Sequence, residues 1–89
     1  MYIVYVLRFL DNSLYIGQTN NLEQRLTEHF NKSTKSSKFS KDHGDFKLIY
    51  QEDYDSRLKS MRREKQLKGW TRAKKEALIA GNKELLKKL

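Results

Sequence analysis

The N-terminal part of the chain contains two short runs of β-branched and aromatic residues on either side of the turn-forming triplet Asp-Asn-Ser at 11–13. The first run is YIVYVLRFL at 2–10, and the second is LYIGQT at 14–19. Strong β propensity on both sides of a turn predicts a β-hairpin. Tyr5 and Tyr15 share a face of this hairpin if paired residue numbers sum to an even value, as they would around a three-residue turn at 11–13. The sequence permits this register without requiring it.

A helix is predicted directly after the hairpin. Asn20 followed by Glu23 has the spacing of an N-cap residue and its partner in the first turn, so we expect a helix over residues 21 to about 31. The apolar stripe of this helix consists of Leu22, Leu26 and Phe30. Arg25 and His29 lie along the edge of the stripe, one turn apart, because successive helical residues are about 100° apart. Both side chains are expected to point toward the margin of the sheet.

The second half of the chain is predicted to form one strand followed by helices. In FKLIYQEDY, residues Phe46, Leu48 and Tyr50 alternate with Lys47, Ile49 and Gln51, which indicates a third strand at 46–54. Asp55 is a good N-cap residue, so a helix is expected from there to about Gly69. A further helix is expected to begin at its N-cap Thr71 and to end at Gly81.

Glu64 is the single acidic residue of a strongly basic stretch. Residues 57–75 contain nine lysines and arginines and this one acid, within a chain whose formal net charge is +8. Such a stretch suits a polyanion, and a generic basic surface is the alternative. Glu64 also falls in an apolar ridge at three-residue steps, formed by Leu58, Met61, Leu67 and Trp70. A carboxylate on such a ridge is costly unless a positive group satisfies it.

Composition excludes several other classes of site. The chain has no cysteine, so disulfides and thiolate metal sites are ruled out and a reducing compartment such as the cytoplasm fits. The seven apolar residues before Arg8 are too few for a membrane span and lack the basic start of a signal peptide. We expect the 89 residues to form one domain with a single modest core. The Ser- and Lys-rich segment at 31–44 is predicted to be a basic loop or a broken helix.

Five polar side chains are candidates for a catalytic site: Tyr5, Tyr15, Arg25, His29 and Glu64. No Ser-His-Asp set, P-loop or Cys/His zinc spacing competes with them. A lone carboxylate does not support a two-metal site, but it can hold one Mg²⁺ whose other ligands are water and a substrate phosphate. Arginine can clamp a phosphate with two hydrogen bonds, and tyrosine or histidine can transfer a proton.

These residues lie in motifs that resemble the GIY-YIG nuclease family. Tyr15-Ile16-Gly17, preceded by Ile-Val-Tyr at 3–5, matches the motif that names the family. LEQRLTEH is similar to the family's helix with its arginine and histidine, and RREKQLKGW is similar to the segment with its metal-binding glutamate. The resemblance covers about residues 2–80 and leaves a short helical tail at 82–89. It is closest to stand-alone, single-domain bacterial members related to the excision-repair incision subunit or to structure-specific endonucleases.

The resemblance implies an α+β fold with a small three-stranded antiparallel sheet flanked by helices. It also implies a DNA endonuclease, with a role in repair, that uses one Mg²⁺ or Mn²⁺ ion held by Glu64. By the same resemblance, Tyr5 would act as general base toward water, and Tyr15 would orient the phosphate or the water. Arg25 would stabilise the charge on the attacked phosphodiester, and His29 would assist proton transfer.

The chain departs from the family pattern at two positions. Ile3 occupies the position of the first-motif glycine, and the asparagine that many relatives place downstream of the glutamate has no nearer counterpart than Asn82. Selectivity is expected to follow DNA structure through backbone contacts, or to come from a partner protein, with RNA as the alternative polyanion. The residues expected to contact nucleic acid are Lys35, Lys38, Lys41, Arg62, Arg63, Lys65, Lys68 and Arg72.

A base role for Tyr5 requires help from its surroundings. A tyrosine with a pKa near 10 is roughly 0.1% ionised at neutral pH. We expect Arg25, a metal on Glu64 and the basic residues of 57–75 to favour the phenolate.

Each candidate residue also has a structural interpretation when taken alone. Tyr5 and Tyr15 would be sheet aromatics with surface hydroxyls, and His29 would be a partly exposed polar residue. Arg25 would pair with Glu28 or cap the helix, and Glu64 would pair with Lys68. The joint occurrence of all five, in order and at matching spacing, favours catalysis. Two other functions stay open: a nucleic-acid-binding module without catalysis that acts with a partner protein, and a small interaction protein with a basic surface.

Overall fold

A three-stranded antiparallel sheet is the centre of the protein in its computed structural model, which describes residues 1–31 and 46–89. The elements are β1 (Tyr2–Phe9), β2 (Leu14–Thr19), α1 (Leu22–Asn31), β3 (Phe46–Tyr54), α2 (Arg57–Lys68), α3 (Arg72–Ile79) and α4 (Lys83–Lys88). The strand order β2-β1-β3 places β1 in the middle. This confirms the predicted α+β fold with its small antiparallel sheet. No described helix is long and apolar enough to cross a membrane.

The hairpin has the register that places both tyrosines on one face. Tyr5 pairs with Gly17, and Leu7 pairs with Tyr15, so paired numbers sum to an even value. The predicted turn was wrong by one residue, because the Phe9 amide donates to the Ser13 carbonyl (3.0 Å) and the loop is residues 10–12. Asn12, with φ of 71°, occupies the left-handed position that this tight loop requires, a conformation that asparagine tolerates better than most residues.

The sheet is covered on both faces, and each face has its own apolar cluster. On one face Val4, Val6 and Ile16 pack with Leu67 of α2 and with apolar side chains of α3. On the other face β1 contributes Tyr5, Leu7 and Phe9, which pack with Leu22 and Leu26 of α1. Alternation along β1 therefore sends even-numbered residues toward α2 and odd-numbered residues toward α1.

Two of the predicted N-cap residues are wrong by one position. The side chain of Asn21, and not Asn20, accepts the amide of the third residue of α1 at 3.1 Å. Ser56, and not Asp55, does the same for α2 at 3.3 Å and has the extended backbone that an N-cap needs. Thr71 caps α3 as predicted, with a bond of 3.2 Å.

The apolar ridge predicted along α2 does not form. Leu58 and Met61 are 56% and 45% exposed, while Ser60 and Leu67 are buried. A three-residue step falls short of a full helical turn by about 60°, so a row of such steps winds around the helix instead of following one face. By the same geometry Glu64 lies about 40° from Ser60 and therefore at the border of the buried face.

Candidate active site

Tyr5 lies at the centre of the sheet with its ring over Gly17 on the neighbouring strand. The side chain of Tyr5 is only 1% exposed. A Cβ atom at position 17 would lie 2.5 Å from Cζ of the Tyr5 ring, which is closer than non-bonded atoms approach. The glycine of the Tyr-Ile-Gly motif therefore provides the space in which the Tyr5 ring packs.

His29 on α1 completes an aromatic cluster with the two tyrosines. It is 1% exposed, and its Nε2 lies 3.2 Å from the Tyr5 hydroxyl, within hydrogen-bond distance. The ring centroids of Tyr15 and His29 are 5.1 Å apart, and those of Tyr5 and Tyr15 are 6.2 Å apart. Phe46 of β3 borders the imidazole at 5.9 Å. The interpretation of His29 as a partly exposed polar residue is therefore wrong.

The surroundings of Tyr5 raise its pKa, which is the opposite of the expected phenolate. Burial is the largest cause, and the neighbouring Tyr15 adds to it. The negative charge of Glu64 also raises the pKa of Tyr5, whereas the positive charge of Arg25 lowers it without outweighing the effect of burial. His29 and Tyr15 thus contact Tyr5 directly, and Arg25 and Glu64 act on its hydroxyl through their charges. Tyr5 is nevertheless neutral in this setting.

His29 is also held in its neutral form. Burial lowers the pKa of its imidazole, and the positive charge of Arg25 lowers it further against a smaller opposing effect of Glu28. A neutral imidazole has one ring nitrogen that accepts a hydrogen bond, and the Tyr5 hydroxyl donates to Nε2 when Nδ1 carries the proton. The pair can therefore pass a proton from the phenol to the imidazole.

Arg25 lies on α1 at the edge of this cluster, where it borders a polar cleft of about 290 Å³. Its guanidinium forms no ion pair within the described residues, so the Arg25–Glu28 pair considered from sequence is not present. A half-buried guanidinium that has no ion pair in the described part of the chain can donate to a phosphate.

Glu64 reaches the same site from α2. Its side chain is 25% exposed, and its nearest cation is Lys68, whose Nζ lies 3.7 Å from the carboxylate. Among residues 1–31 and 46–89 no three His, Cys, Asp or Glu side chains come together as a metal cluster. One accessible carboxylate fits Mg²⁺ or Mn²⁺ with water and substrate oxygens as its other ligands, and does not fit a site made by protein alone.

Two arginines expected to contact nucleic acid have partners within the fold. Arg63 binds Glu52 of β3 through Nε (2.9 Å) and Nη2 (3.1 Å). Arg72 pairs with Glu76 at 3.1 Å and donates to the Asn12 carbonyl of the hairpin loop. These contacts tie α2 and α3 to the sheet, so both side chains have a structural role.

The other predicted nucleic-acid contacts differ in position. Arg62 and Lys65 are exposed on α2, and neither forms an ion pair within the described residues. The lysines of the basic segment, Lys35, Lys38 and Lys41, lie outside the described residues.

Asn82, the nearest counterpart of the family's downstream asparagine, caps a helix. Its Oδ1 accepts the amide of Leu85 at 3.1 Å, at the start of α4. The side chain is thus used by the backbone of the C-terminal helix.

Arg57 was not singled out from sequence, yet it borders the same cleft as Arg25. The position of Arg57 follows from the strand pairing, because β3 runs antiparallel to β1 and ends with Tyr54 opposite Tyr2. The first turn of α2 therefore returns to the end of the sheet where Arg25 lies.

Comparisons with known proteins agree with this geometry. A family model described as the GIY-YIG catalytic domain matches residues 1–77. A UPF0213 protein of Syntrophus aciditrophicus is 41% identical over 81 residues, covering 91% of this chain and 92% of that protein. A UPF0213 protein of Natronomonas pharaonis is 39% identical over 77 residues, covering 86% and 88%.

A solved structure gives the same result for the fold. The solution NMR structure of a UPF0213 protein from Bacillus halodurans matches with a TM-score of 0.59 and 33% identity, covering 90% of this chain and 84% of that chain. The family model and the relatives thus span most of the chain, including the strands, α1 and α2. The chain belongs to the GIY-YIG family, in the nuclease superfamily, and to its UPF0213 group.

Proposed function

We propose that this protein is a divalent-metal-dependent endonuclease that hydrolyses DNA phosphodiester bonds and selects its substrate by structure rather than by base sequence. The observation that carries the proposal is the buried hydrogen bond between Tyr5 and His29, with Arg25 and Glu64 beside it. Membership of a nuclease superfamily supports the reaction class. The single accessible carboxylate of Glu64 supports the use of one Mg²⁺ or Mn²⁺ ion.

In this proposal Tyr5 transfers a proton without ever being a stable phenolate. Its oxygen accepts a proton from the attacking water as its own proton passes to His29 Nε2, so the phenol is neutral before and after the step. The hydroxide from the water forms the new bond to phosphorus, the bond to the departing 3′-oxygen breaks, and the imidazolium later releases its proton to solvent. This path uses the neutral state of both residues, which burial favours.

The remaining side chains stabilise charge and position the substrate. Arg25 donates hydrogen bonds to the non-bridging oxygens of the phosphate, where negative charge accumulates during attack. Tyr15 holds the imidazole of His29 by ring packing and orients the phosphate or the water. Glu64 would hold the metal, which would supply Lewis-acid stabilisation of the leaving group.

The test is cleavage of branched, flapped and single-stranded DNA by the purified protein with Mg²⁺ or Mn²⁺. Tyr5→Phe and Glu64→Ala are each expected to lower the rate by about 10²-fold or more, because each removes a group that acts on the reacting atoms. Lys47→Gln is the matched control, since this exposed lysine lies on β3 opposite Arg8, at the far end of the sheet. Wild-type rates for both Tyr5→Phe and Glu64→Ala, with folding verified by circular dichroism, would refute the catalytic assignment.

The second candidate is a nucleic-acid-binding module without catalysis. It is favoured by the 1% exposure of Tyr5, which leaves little of this residue in contact with solvent. This candidate predicts salt-dependent binding of DNA or RNA without metal-dependent cleavage. Cleavage that requires Glu64 would exclude it, and binding that does not change with salt would exclude both nucleic-acid functions.

A further inference from the structure

The cleft beside the candidate active site is polar, and none of the described residues that line it is a carboxylate. It has a volume of about 290 Å³ and lies where β1 begins and β2 ends, lined by Tyr2, Gln18, Thr19, Asn20, Arg25 and Arg57. Glu28 lines an adjoining pocket of about 120 Å³ that shares Thr19, Asn20 and Arg25 with the cleft. The two guanidiniums give the cleft a positive charge, which attracts an anion.

The two guanidiniums of the cleft form no ion pair with residues 1–31 or 46–89. Neither Arg25 nor Arg57 has an ion pair within the described residues, whereas Arg8, Arg63 and Arg72 are each paired with a glutamate. Among the described residues, three arginines are thus neutralised by glutamates, and two that have no such partner line one cleft. Two like charges that share a cleft repel each other unless water or an anion lies between them. The planar donors of arginine match a phosphate in particular.

The cleft adjoins the reacting groups through Arg25. Arg25 lies one helical turn before His29 on α1, and Nε2 of His29 lies 3.2 Å from the Tyr5 hydroxyl. Arg57 comes from the first turn of α2, on a different element. When Arg25 holds the scissile phosphate of a DNA strand, the cleft that Arg57 lines is therefore immediately beside that phosphate.

We infer that the cleft binds the backbone phosphate next to the scissile phosphate, and that Arg57 is its ligand. The site would then hold two consecutive phosphates of one strand, independently of base sequence. This inference rests on the proposed function in one respect, the assignment of the scissile phosphate to Arg25.

Binding in EDTA tests the inference without any need for cleavage. The probe is a short DNA flap whose branch point sets the register, with one phosphate at a time replaced by an uncharged methylphosphonate. The affinity of each probe is measured by fluorescence anisotropy for the wild-type protein, Arg25→Gln, Arg57→Gln and the control Lys47→Gln. A contact between an arginine and a phosphate appears as a methylphosphonate effect that disappears in that variant.

Arg57→Gln is expected to weaken binding by about tenfold and to reduce the salt slope by about 0.7–0.9, whereas Lys47→Gln leaves both unchanged. The methylphosphonate effect that Arg57→Gln abolishes should be at the position adjacent to the one that Arg25→Gln abolishes. If both variants abolish the same position, or if Arg57→Gln abolishes none, the inference is wrong. If the two variants abolish effects at adjacent phosphates but the protein does not cleave DNA, the phosphate-binding cleft is supported and only the nuclease proposal is overturned.

Discussion

Replacing Gly17 with alanine places a methyl group against the Tyr5 ring. The new Cβ would lie 2.5 Å from Cζ and 2.9 Å from Cε1, whereas carbon atoms normally approach to about 3.5–4.0 Å. The ring must therefore move by about 1 Å in a core where Tyr5 is 1% exposed. Overpacking of this kind costs about 1–3 kcal/mol, which lowers the Tm of a domain of this size by roughly 4–24 °C.

The same displacement disturbs the proposed proton transfer. The Tyr5 hydroxyl lies 3.2 Å from His29 Nε2, so a movement of the ring by about 1 Å takes it out of hydrogen-bond distance or misaligns it. A misplacement of this size at a reacting group typically costs on the order of 10²-fold in rate. Gly17→Ala is therefore expected to remain folded at 25 °C with a lower Tm and about a hundredfold slower DNA cleavage.

The chain offers matched glycine controls. A Cβ at Gly69 would meet only backbone oxygens, the nearest at 3.5 Å, so Gly69→Ala should change stability by less than about 1 kcal/mol and leave cleavage unchanged. Gly81 has φ of 72° and open space around it, so Gly81→Ala should lose about 1–2 kcal/mol without loss of activity. Thermal melts and cleavage rates separate the three variants. A Gly17→Ala protein with the Tm and rate of Gly69→Ala would refute the packing argument.

Three further predictions concern pH and helix capping. Burial raises the pKa of Glu52, but hydrogen bonds from Arg63 and two tyrosines outweigh it and leave the pKa below its usual value. Glu52 therefore contributes stability above the unfolded-state pKa of about 4.3 that is lost as pH falls through the lower folded-state pKa. Glu52→Gln should lower the free energy of unfolding at pH 7 by about 1–3 kcal/mol, measured with urea. This difference from the wild type should disappear below about pH 4, and a difference that persists at low pH would contradict the assignment. His29 must be neutral to accept the Tyr5 proton and its pKa is lowered, so kcat/KM should fall on acidification with a midpoint below about pH 6.5, and His29→Gln should abolish this limb. Asn82→Ala should fray α4 at a cost of about 1 kcal/mol, seen by hydrogen exchange, without slowing cleavage; a large rate loss would instead indicate a role in the reaction.

Local sequence was sufficient for the order and type of the described elements. Strong β propensity around a turn predicted the hairpin, and helix-period spacing predicted the position of α1. Thr71 and Gly81 marked the limits of α3 because capping and positive φ depend on only a few neighbouring residues. The motifs that contain the five candidate residues resembled those of the GIY-YIG family, and the family model confirms that family.

The electrostatic state of the site depended on packing between distant segments. Tyr5 and His29 are 24 residues apart, and their neutral forms follow from burial between the sheet and α1, which no local pattern reports. Packing between distant segments also decides which arginines pair with a glutamate and which line the cleft. Arg63 lies 11 residues from its partner Glu52, while Arg57 and Arg25 meet at one cleft because β3 returns α2 to the start of β1. Composition establishes how many charges the chain has, but whether each is neutralised or left facing solvent is a long-range property of the fold.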